Sequence, residues 1–380
     1  MRHIFALAVL LFPQLLFAQP AASSIPAAPA LAAKAYVLFD FNSGQLLVSQ
    51  NPDQRVEPAS LTKLMTAYLT FSALKQKTLK PDQAVTVSER AWRAEGSRMF
   101  IEPRKPVTVD ELIRGMIVQS GNDACIALAE AIAGSEEVFA QMMNREAQRL
   151  GMKNTSFMNS TGLPHPQHYS TAHDLALLAV AIIRDFPEHY PLYSLKEFRY
   201  NNITQANRNR LLWQDPTVDG MKTGYTENAG YCLVTSAKRD AHRLVSVVLG
   251  TASESARAAE SQKLLNYGFQ FYDSVRLYEK NQPVATLQVW KGGGNSVKAG
   301  FTGDLYLSLP KGQADKVKAT VESAQPLLAP INAGQKVGVM KLTLDGKPYI
   351  ELPVVALESV PLAGIFGRGW DSLRLLFKRL

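Results

Sequence analysis

Cysteine is scarce in this sequence, and its scarcity excludes two kinds of stabilised fold. The 380 residues include two cysteines, too few for a disulfide scaffold or a cysteine-based zinc site. Long apolar runs are also missing, because the longest falls short of the roughly 20 residues that a membrane-spanning helix needs. With 46% hydrophobic and 19% charged residues, the chain is neither disordered, collagenous nor coiled coil. Its length predicts two domains.

Acidic residues are fewer than basic ones, 33 against 41, which gives a formal net charge of +8. The lysines and arginines are scattered and accompany no nucleic-acid-binding motif. We therefore interpret the chain as a basic globular protein that works near an anionic surface, and we expect no nucleic acid among its partners.

The N-terminus has the pattern of a secretory signal. A basic start is followed by an apolar stretch over residues 4–17 and then by small residues. We place cleavage after Ala18, which makes residues 1–18 a signal peptide and predicts an exported protein. Residues 19–33 are rich in alanine, proline and serine, and are predicted to form a mobile tether.

Residues 361–380 are amphipathic when placed on a helical wheel. One face is apolar and contains Leu362, Ile365, Phe366, Trp370, Leu373, Leu376, Phe377 and Leu380. The opposite face is polar and mostly basic, with Arg368, Asp371, Arg374, Lys378 and Arg379. This pattern is typical of a helix that lies in a membrane interface, so we predict a membrane-surface anchor. The alternative is a terminal helix packed on its own protein.

The remaining sequence predicts an α+β domain followed by an all-β domain. Strand patterns at 35–50 and 230–250 enclose a series of helical patterns, and a further helix is predicted at 255–272. This order favours an antiparallel sheet covered by helices. Short alternating strands from 273 to 360 predict a small β-sandwich. We therefore assign residues 34–272 to the first domain.

Ser60 and Lys63 form the first candidate for catalysis. The helical pattern that follows places Ser60 at the start of a helix and Lys63 one turn later on the same face. A lysine with a lowered pKa can remove the proton of a serine hydroxyl, and a helix N-terminus offers free N–H groups to an oxyanion. The same spacing recurs at Ser72 and Lys75 in mid-helix, so the motif alone is a weak signal.

Two further motifs follow. Ser120 and Asn122, separated by one glycine, lie between two predicted helices, where they also suit a helix cap. Lys222, Thr223 and Gly224 lie on a predicted strand and offer an ammonium and a hydroxyl to a carboxylate, beside a glycine that lets a ligand approach. The order Ser-x-x-Lys, Ser-x-Asn, Lys-Thr-Gly is that of penicillin-binding proteins and class A β-lactamases.

On these motifs the sequence resembles the low-molecular-mass penicillin-binding proteins, the membrane-anchored, serine-type D-alanyl-D-alanine carboxypeptidases. The resemblance covers nearly the whole chain and is carried by residues 58–63, 119–125 and 219–224, by the β domain and by the amphipathic helix. It implies a catalytic domain of penicillin-binding-protein and β-lactamase type that needs no cofactor. Peptidoglycan pentapeptide stems and β-lactams are the implied partners. The implied location is the periplasm, at the outer face of the inner membrane, with a role in cell-wall remodelling.

The resemblance also implies a role for each motif residue. Ser60 would attack the carbonyl between the last two D-alanines, Lys63 would act as general base, and Ser120 would relay a proton to the leaving amine. The backbone N–H groups of Ser60 and Tyr225 would form the oxyanion hole. The implied substrate-binding residues are Asn122, Lys222, Thr223, Gly224, Tyr225 and Arg257. Close relatives often carry histidine at the position of Tyr225, which leaves the rate of deacylation open.

Two other functions remain as alternatives. A class A β-lactamase has the same three motifs but needs a glutamate a few dozen residues after Ser-x-Asn, and no glutamate lies between Glu146 and Glu188. An envelope scaffold or β-lactam sensor would act through the β domain without turnover.

Histidine and cysteine give no strong pattern of their own. His165, His168 and His173 are close in sequence, but no carboxylate completes a familiar zinc spacing, so we expect a loop and no metal. Cys125 and Cys232 stand in apolar runs, which favours buried free thiols over a disulfide.

Overall fold

The secondary structure changes in kind part-way along the chain. The computed structural model describes residues 25–323 and 325–378, with side chains through residue 375. Helices and strands are mixed between Ala35 and Phe271, whereas strands predominate from Tyr272 onward. The predicted fold class is confirmed: a helix-covered antiparallel sheet precedes a β domain and a short terminal helix.

The first part of the chain alternates between the two kinds of element. Its strands and helices are β1 (Ala35–Asp40), β2 (Leu46–Gln50), α1 (Lys63–Lys75), β3 (Ala84–Val85), α2 (Glu89–Trp92), β4 (Val107–Thr108), α3 (Val109–Val118), α4 (Asn122–Ala133), α5 (Glu136–Arg149), α6 (Ala172–Asp185), β5 (Glu197–Tyr200), β6 (Ile203–Ala206), α7 (Leu211–Gln214), β7 (Val218–Thr226), β8 (Gly230–Arg239), β9 (His242–Thr251) and α8 (Glu254–Phe271). Two 3₁₀ helices are added, Ala59–Thr62 and Tyr190–Ser194.

A five-stranded antiparallel sheet forms the centre of this domain, in the order β2-β1-β9-β8-β7. Because successive side chains of a strand point to opposite faces, each strand feeds two cores. In β1, Val37 and Phe39 join the core formed with α1 and α3–α6, whereas Tyr36 and Leu38 join the core formed with α8. The sheet is therefore covered on both faces, and β7 is one of its two edge strands.

Residues 25–33 pack on the first domain. Ile25 contacts the core beside α8, and Leu31 is buried in that core. The carbonyl of Pro26 accepts a hydrogen bond of 2.8 Å from Tyr267 Oη. This part of the chain departs from the predicted mobile tether, because its few apolar side chains find a partner that composition does not reveal. The predicted signal peptide and the start of the tether lie outside the described residues.

The second part of the chain forms two sheets. Its strands and helix are β10 (Tyr272–Tyr278), β11 (Pro283–Trp290), β12 (Ser296–Gly300), β13 (Leu305–Pro310), β14 (Val317–Glu322), β15 (Leu327–Leu328), β16 (Lys336–Leu344), β17 (Lys347–Ala356) and α9 (Ile365–Lys378). One sheet pairs β10 with β13, and the other has the order β14-β16-β17-β12-β11-β15. Their apolar faces share a separate core that includes Leu307, Met340 and Val354.

A polar junction joins the two domains at Asp40, which is fully buried at the end of β1. Its carboxylate accepts a 2.8 Å hydrogen bond from Ser308 Oγ of β13, and Ser308 N donates to Gln45 Oε1 at 2.6 Å. His242 Nε2 lies 3.1 Å from the same carboxylate. Burial alone would raise the pKa of Asp40, but hydrogen bonds from His242, Ser43 and Ser308 outweigh it and lower the pKa. The junction is thus held by a charged group.

The helix α9 turns its apolar side toward solvent. Ile365, Phe366 and Trp370 are 76%, 94% and 61% exposed. On the polar side, Asp371 accepts a 2.6 Å hydrogen bond from the backbone N–H of Lys291, which ties the helix to the β domain. Beyond the described side chains lie three other residues predicted for the apolar face, Leu376, Phe377 and Leu380. Among the described helices, none combines the length and apolar character that crossing a bilayer requires.

Candidate active site

Ser60 lies in the 3₁₀ helix Ala59–Thr62, which continues directly into α1 at Lys63. Lys63 Nζ is 2.9 Å from Ser60 Oγ, as the three-residue spacing predicts. Ala59 has a φ of +49°, in the left-handed region that non-glycine residues seldom adopt, so the backbone turns sharply just before Ser60. A single turn of chain therefore holds the serine and the lysine together.

Lys63 is buried among polar partners, with 1% of its surface exposed. Its ammonium contacts Asn122 Oδ1 at 2.7 Å and the carbonyl oxygen of Thr161 at 2.6 Å, in addition to Ser60. Burial lowers the pKa of Lys63 to about 8, and the positive charge of Arg208 acts in the same direction. A neutral amine is therefore accessible close to neutral pH, as a general base requires.

Ser120 and Asn122 stand at the junction of α3 and α4. Ser120 has a φ of +64°, and its hydroxyl is buried without a hydrogen-bond partner among the described residues. Asn122 is fixed on both sides, because its Nδ2 donates to the carbonyl of Glu95 at 2.6 Å and its backbone N–H donates to the carbonyl of Ser97 at 2.7 Å. A strained residue that persists at such a point is a common feature of active sites.

β7 carries the Lys-Thr-Gly motif along the edge of the sheet. Lys222 is buried, and its Nζ donates to the carbonyl of Thr223 at 3.0 Å. Burial lowers the pKa of Lys222 well below its ordinary value, and the charge of Lys63 adds to this effect. A Cβ on Gly224 would lie 3.0 Å from the carbonyl oxygen of Pro58, so the glycine lets β7 approach the 3₁₀ helix.

These elements enclose a cleft of about 240 Å³. Ser60, Ser120 and Thr223 line it together with two arginines, Arg208 and Arg257. The cleft thus combines an activated hydroxyl with two guanidinium groups, which suits acyl transfer from a peptide that ends in a carboxylate. A larger groove of about 620 Å³ lies in the β domain but contains none of the motif residues.

Position separates the two copies of Ser-x-x-Lys. Ser72 lies near the C-terminal end of α1, not in mid-helix as the sequence pattern predicts, and lines a different groove. Its hydroxyl accepts a 2.9 Å hydrogen bond from Gln76 Nε2. Lys75 Nζ donates to the carbonyl of Asp185 at 2.9 Å. The second copy is therefore part of the helix surface, and only the first copy reaches the cleft.

Tyr225 and Arg257, predicted from the resemblance alone, both line the cleft. Tyr225 is half exposed at the end of β7, whereas Arg257 is buried in the first turn of α8. The sequence reasoning missed four other lining residues, Ser97, Arg208, Tyr231 and Glu254. Hairpin register could have found Tyr231, because pairing β7 with β8 across a short turn places it opposite Tyr225.

Comparison with known proteins gives this arrangement a family. The profile of the D-alanyl-D-alanine carboxypeptidase family matches residues 22–253, more than half of the chain. The chain belongs to this family. The profile of the C-terminal domain of penicillin-binding protein 5 matches residues 272–362. The D-alanyl-D-alanine carboxypeptidase DacA of Haemophilus influenzae is 45% identical over 358 residues, which cover 93% of this chain and 91% of DacA.

Solved structures show the same likeness. Penicillin-binding protein 5 from Haemophilus influenzae is 43% identical, with a TM-score of 0.85 over 88% of this chain and 99% of that protein. Penicillin-binding protein D2 from Listeria monocytogenes, solved in its ampicillin-bound form, is 30% identical, with a TM-score of 0.59 over 64% of this chain and 100% of that protein. The predicted enzyme class is confirmed: the chain is a serine-type D-alanyl-D-alanine carboxypeptidase of the penicillin-binding protein 5 type.

His168 and the two cysteines of this carboxypeptidase are buried. His168 Nε2 lies 2.9 Å from Thr62 Oγ1, in the 3₁₀ helix that contains Ser60, and burial lowers the pKa of His168 to about 4. Within the described ranges, no cluster of three or more histidine, cysteine or acidic residues is arranged to hold a metal ion. Cys125 and Cys232 are buried free thiols, and burial raises their pKa to about 12 and about 11.

Proposed function

We propose that this carboxypeptidase removes the terminal D-alanine from peptidoglycan pentapeptide stems through an acyl-enzyme on Ser60. The observation that carries the proposal is the 2.9 Å contact between Ser60 Oγ and the buried Lys63 Nζ, at the wall of a cleft that Ser60 and Ser120 both line. In acylation the Ser60 proton passes to the neutral amine of Lys63, while Oγ bonds to the carbonyl carbon between the last two D-alanines. The C–N bond then breaks, and Ser120 relays the proton from Lys63 to the leaving amine, which returns Lys63 to its neutral form.

Hydrolysis of the acyl-enzyme again uses Lys63 as the base, with water in place of the Ser60 hydroxyl as the nucleophile. Water gives a proton to Lys63 as its oxygen attacks the ester carbonyl, and the C–O bond to Ser60 breaks as Ser60 recovers a proton. The backbone N–H groups of Ser60 and Tyr225 hold the oxyanion in both steps. The proposal is supported by the closeness of β7 to the 3₁₀ helix at Gly224.

The remaining motif residues hold Lys63 or bind the substrate. Asn122 holds Lys63 through its Oδ1, at 2.7 Å. Lys222, Thr223 and Arg257 receive the terminal carboxylate of the peptide. The lining of the cleft supports this assignment, because Thr223 lies there with the guanidinium groups of Arg208 and Arg257. A β-lactam acylates the same serine: Oγ bonds to the ring carbonyl, the ring C–N bond opens, and the product stays attached until water reaches the ester.

We expect D-alanine release to rise with pH, because acylation needs the neutral form of Lys63. With a pKa of about 8, roughly a tenth of Lys63 is neutral at pH 7 and roughly nine-tenths at pH 9. The value of kcat/KM for a peptide ending in D-Ala-D-Ala should therefore rise about tenfold over this range. The experiment is a pH profile of D-alanine release between pH 6 and pH 9, with thermal unfolding as the control for stability. A flat profile, or the absence of release, contradicts the proposal.

We also propose that the enzyme is exported, loses residues 1–18, and is held at the outer face of the inner membrane by α9. In this arrangement residues 273–360 form the spacer between the membrane and the catalytic domain, residues 34–272. The exposed apolar side of α9 supports the proposal, because transfer of an apolar side chain such as Phe366, 94% exposed, from water into a membrane interface is favourable. The tie between Asp371 and Lys291 keeps the opposite side against the protein.

Deleting residues 361–380 should release the mature enzyme from membranes. The intact protein should sediment with vesicles that contain phosphatidylglycerol, whereas the truncated protein should remain in the supernatant with its activity on soluble peptides unchanged. Exchange of Phe366 and Trp370 for serine should have the same effect. Val138→Ser is the matched control, because Val138 is an exposed apolar residue on α5, far from α9 in sequence. Sedimentation of the truncated protein would place the anchor elsewhere.

A further inference from the structure

Tyr231 stands between Tyr225 and Arg257 on the wall of the cleft. The ring centroids of Tyr225 and Tyr231 are 4.4 Å apart. The guanidinium carbon of Arg257 lies 5.6 Å from the centroid of the Tyr231 ring. A cation within about 6 Å of an aromatic face is attracted by the electrons of the ring. One ring therefore contacts both an oxyanion-hole residue and the arginine at the carboxylate end of the cleft.

The backbone fixes Tyr231 independently of these two neighbours. Thr251 Oγ1 donates a 3.0 Å hydrogen bond to the carbonyl of Tyr231, and the register between β8 and β9 shifts directly after this pair. Gly230 and Gly250, at φ values of +70° and +74°, flank the irregularity. A Cβ on Gly230 would lie 3.0 Å from the carbonyl oxygen of Thr251. Such irregularities re-aim a side chain, and this one aims Tyr231 at the cleft.

Other contacts hold the guanidinium of Arg257 weakly. Its Nη1 donates to the carbonyl of Gly224 at 3.4 Å, and its Nη2 donates to the carbonyl of Arg208 at 3.5 Å. The carboxylate of Glu254 is 3.7 Å away. These distances exceed those of strong hydrogen bonds, although only 3% of the surface of Arg257 is exposed. Its donors thus remain available to a carboxylate, while something else must fix the plane of the guanidinium.

We propose that Tyr231 is a positioning residue that holds Arg257 toward the terminal carboxylate of the substrate and so makes the enzyme select peptides with a free C-terminus. The inference rests on the proposed function, in which Arg257 receives that carboxylate. Tyr231 acts through Arg257 and takes no part in the bond-making steps.

The test compares two peptides that differ only at the C-terminus, one ending in D-Ala-D-Ala and one in D-Ala-D-alaninamide. Tyr231→Leu should lower kcat/KM for the acid about tenfold, mainly through KM, because the attraction between ring and cation is lost. The value for the amide should change less than twofold. Tyr231→Phe keeps an aromatic face and should therefore retain the preference for the peptide with a free C-terminal acid.

A second replacement covers the possibility that Tyr231→Leu does not fold. Pentafluorophenylalanine at position 231 keeps the shape of the ring but makes its face electron-poor, so it should also lose the preference for the acid. Equal losses on both peptides would overturn the inference, since they indicate a merely structural role. An unmodified enzyme with no preference for the acid would instead overturn the proposed carboxylate site. A clear preference that survives in both replacements would overturn the role of Tyr231 alone.

Discussion

Exchange of Ser60 for alanine should abolish D-alanine release and, in the same protein, labelling by a fluorescent penicillin. The loss of release should reach about 10³-fold or more, because the oxygen that forms the acyl bond is gone and no neighbouring group can replace it. The fold should survive, because the exchange removes the 2.9 Å contact between Ser60 Oγ and Lys63 Nζ but leaves the backbone hydrogen bonds of the turn in place. Release is measured by coupled oxidation of D-alanine, and labelling by fluorescence after denaturing electrophoresis.

Ser72→Ala is the matched control for this experiment. Ser72 has the same spacing to a lysine, on the same helix, but its hydroxyl accepts only a helix-surface hydrogen bond from Gln76. Release and labelling should both persist in this variant. Loss of either one there, or penicillin labelling that persists in Ser60→Ala, would refute Ser60 as the nucleophile. An unmodified enzyme that is labelled but releases no D-alanine would be an acylating site without turnover, and would direct attention to Tyr225.

Exchange of Gly162 for alanine should damage both stability and catalysis. A Cβ at this position would lie 1.8 Å from the carbonyl oxygen of Ala59, and the φ of +86° is itself unfavourable for alanine. Ala59 must therefore shift, and Ser60 shifts with it. Thr161, the preceding residue, supplies a carbonyl to Lys63 at 2.6 Å, so the base is displaced as well. We expect the free energy of unfolding to fall by about 3 kcal/mol or more, and kcat/KM by about 10²-fold.

Gly151→Ala separates the clash from the backbone effect. Gly151 has a similar φ of +81°, but a Cβ there meets nothing within 4 Å. Its exchange should cost about 1 kcal/mol and leave kcat/KM unchanged. Urea unfolding followed by tryptophan fluorescence gives the stabilities, and D-alanine release gives the activities. Equal effects of the two exchanges would show that the approach of Gly162 to Ala59 has no importance for the active site.

Local patterns predicted the parts of this molecule that depend on local geometry. The contact between Ser60 and Lys63 follows from one helical turn, and the strands β1, β8 and β9 of the central sheet follow from short apolar runs bounded by turn residues. Ser72 shows the limit of such patterns, because the same spacing near the end of α1 leads to a surface hydrogen bond. What separates the two copies is the approach of β7 at Gly224, a contact across more than 150 residues.

Residues that meet through tertiary packing gave no comparable signal. Arg208 lines the cleft from a loop with no motif around it, and its charge contributes to the lowered pKa of Lys63. Leu31 belongs to a stretch whose alanine and proline content suggests mobility, yet it is buried beside α8. In both cases a single side chain meets a surface assembled from distant segments. Composition and spacing describe the segment and not the surface that receives it.

The junction at Asp40 connects the two domains through buried and partly buried hydrogen bonds. The lowered pKa of Asp40 means that its stabilising contribution is present above the pKa of an unfolded aspartate, about 4, and is lost as the pH falls through the folded value. Over the range in which the enzyme works, Ser308 therefore remains bonded to the end of β1. These hydrogen bonds restrict the movement of the β domain more than a flexible linker alone would. With α9 at the membrane surface, as we propose, the β domain would set the distance from the membrane at which the cleft meets its peptide substrates.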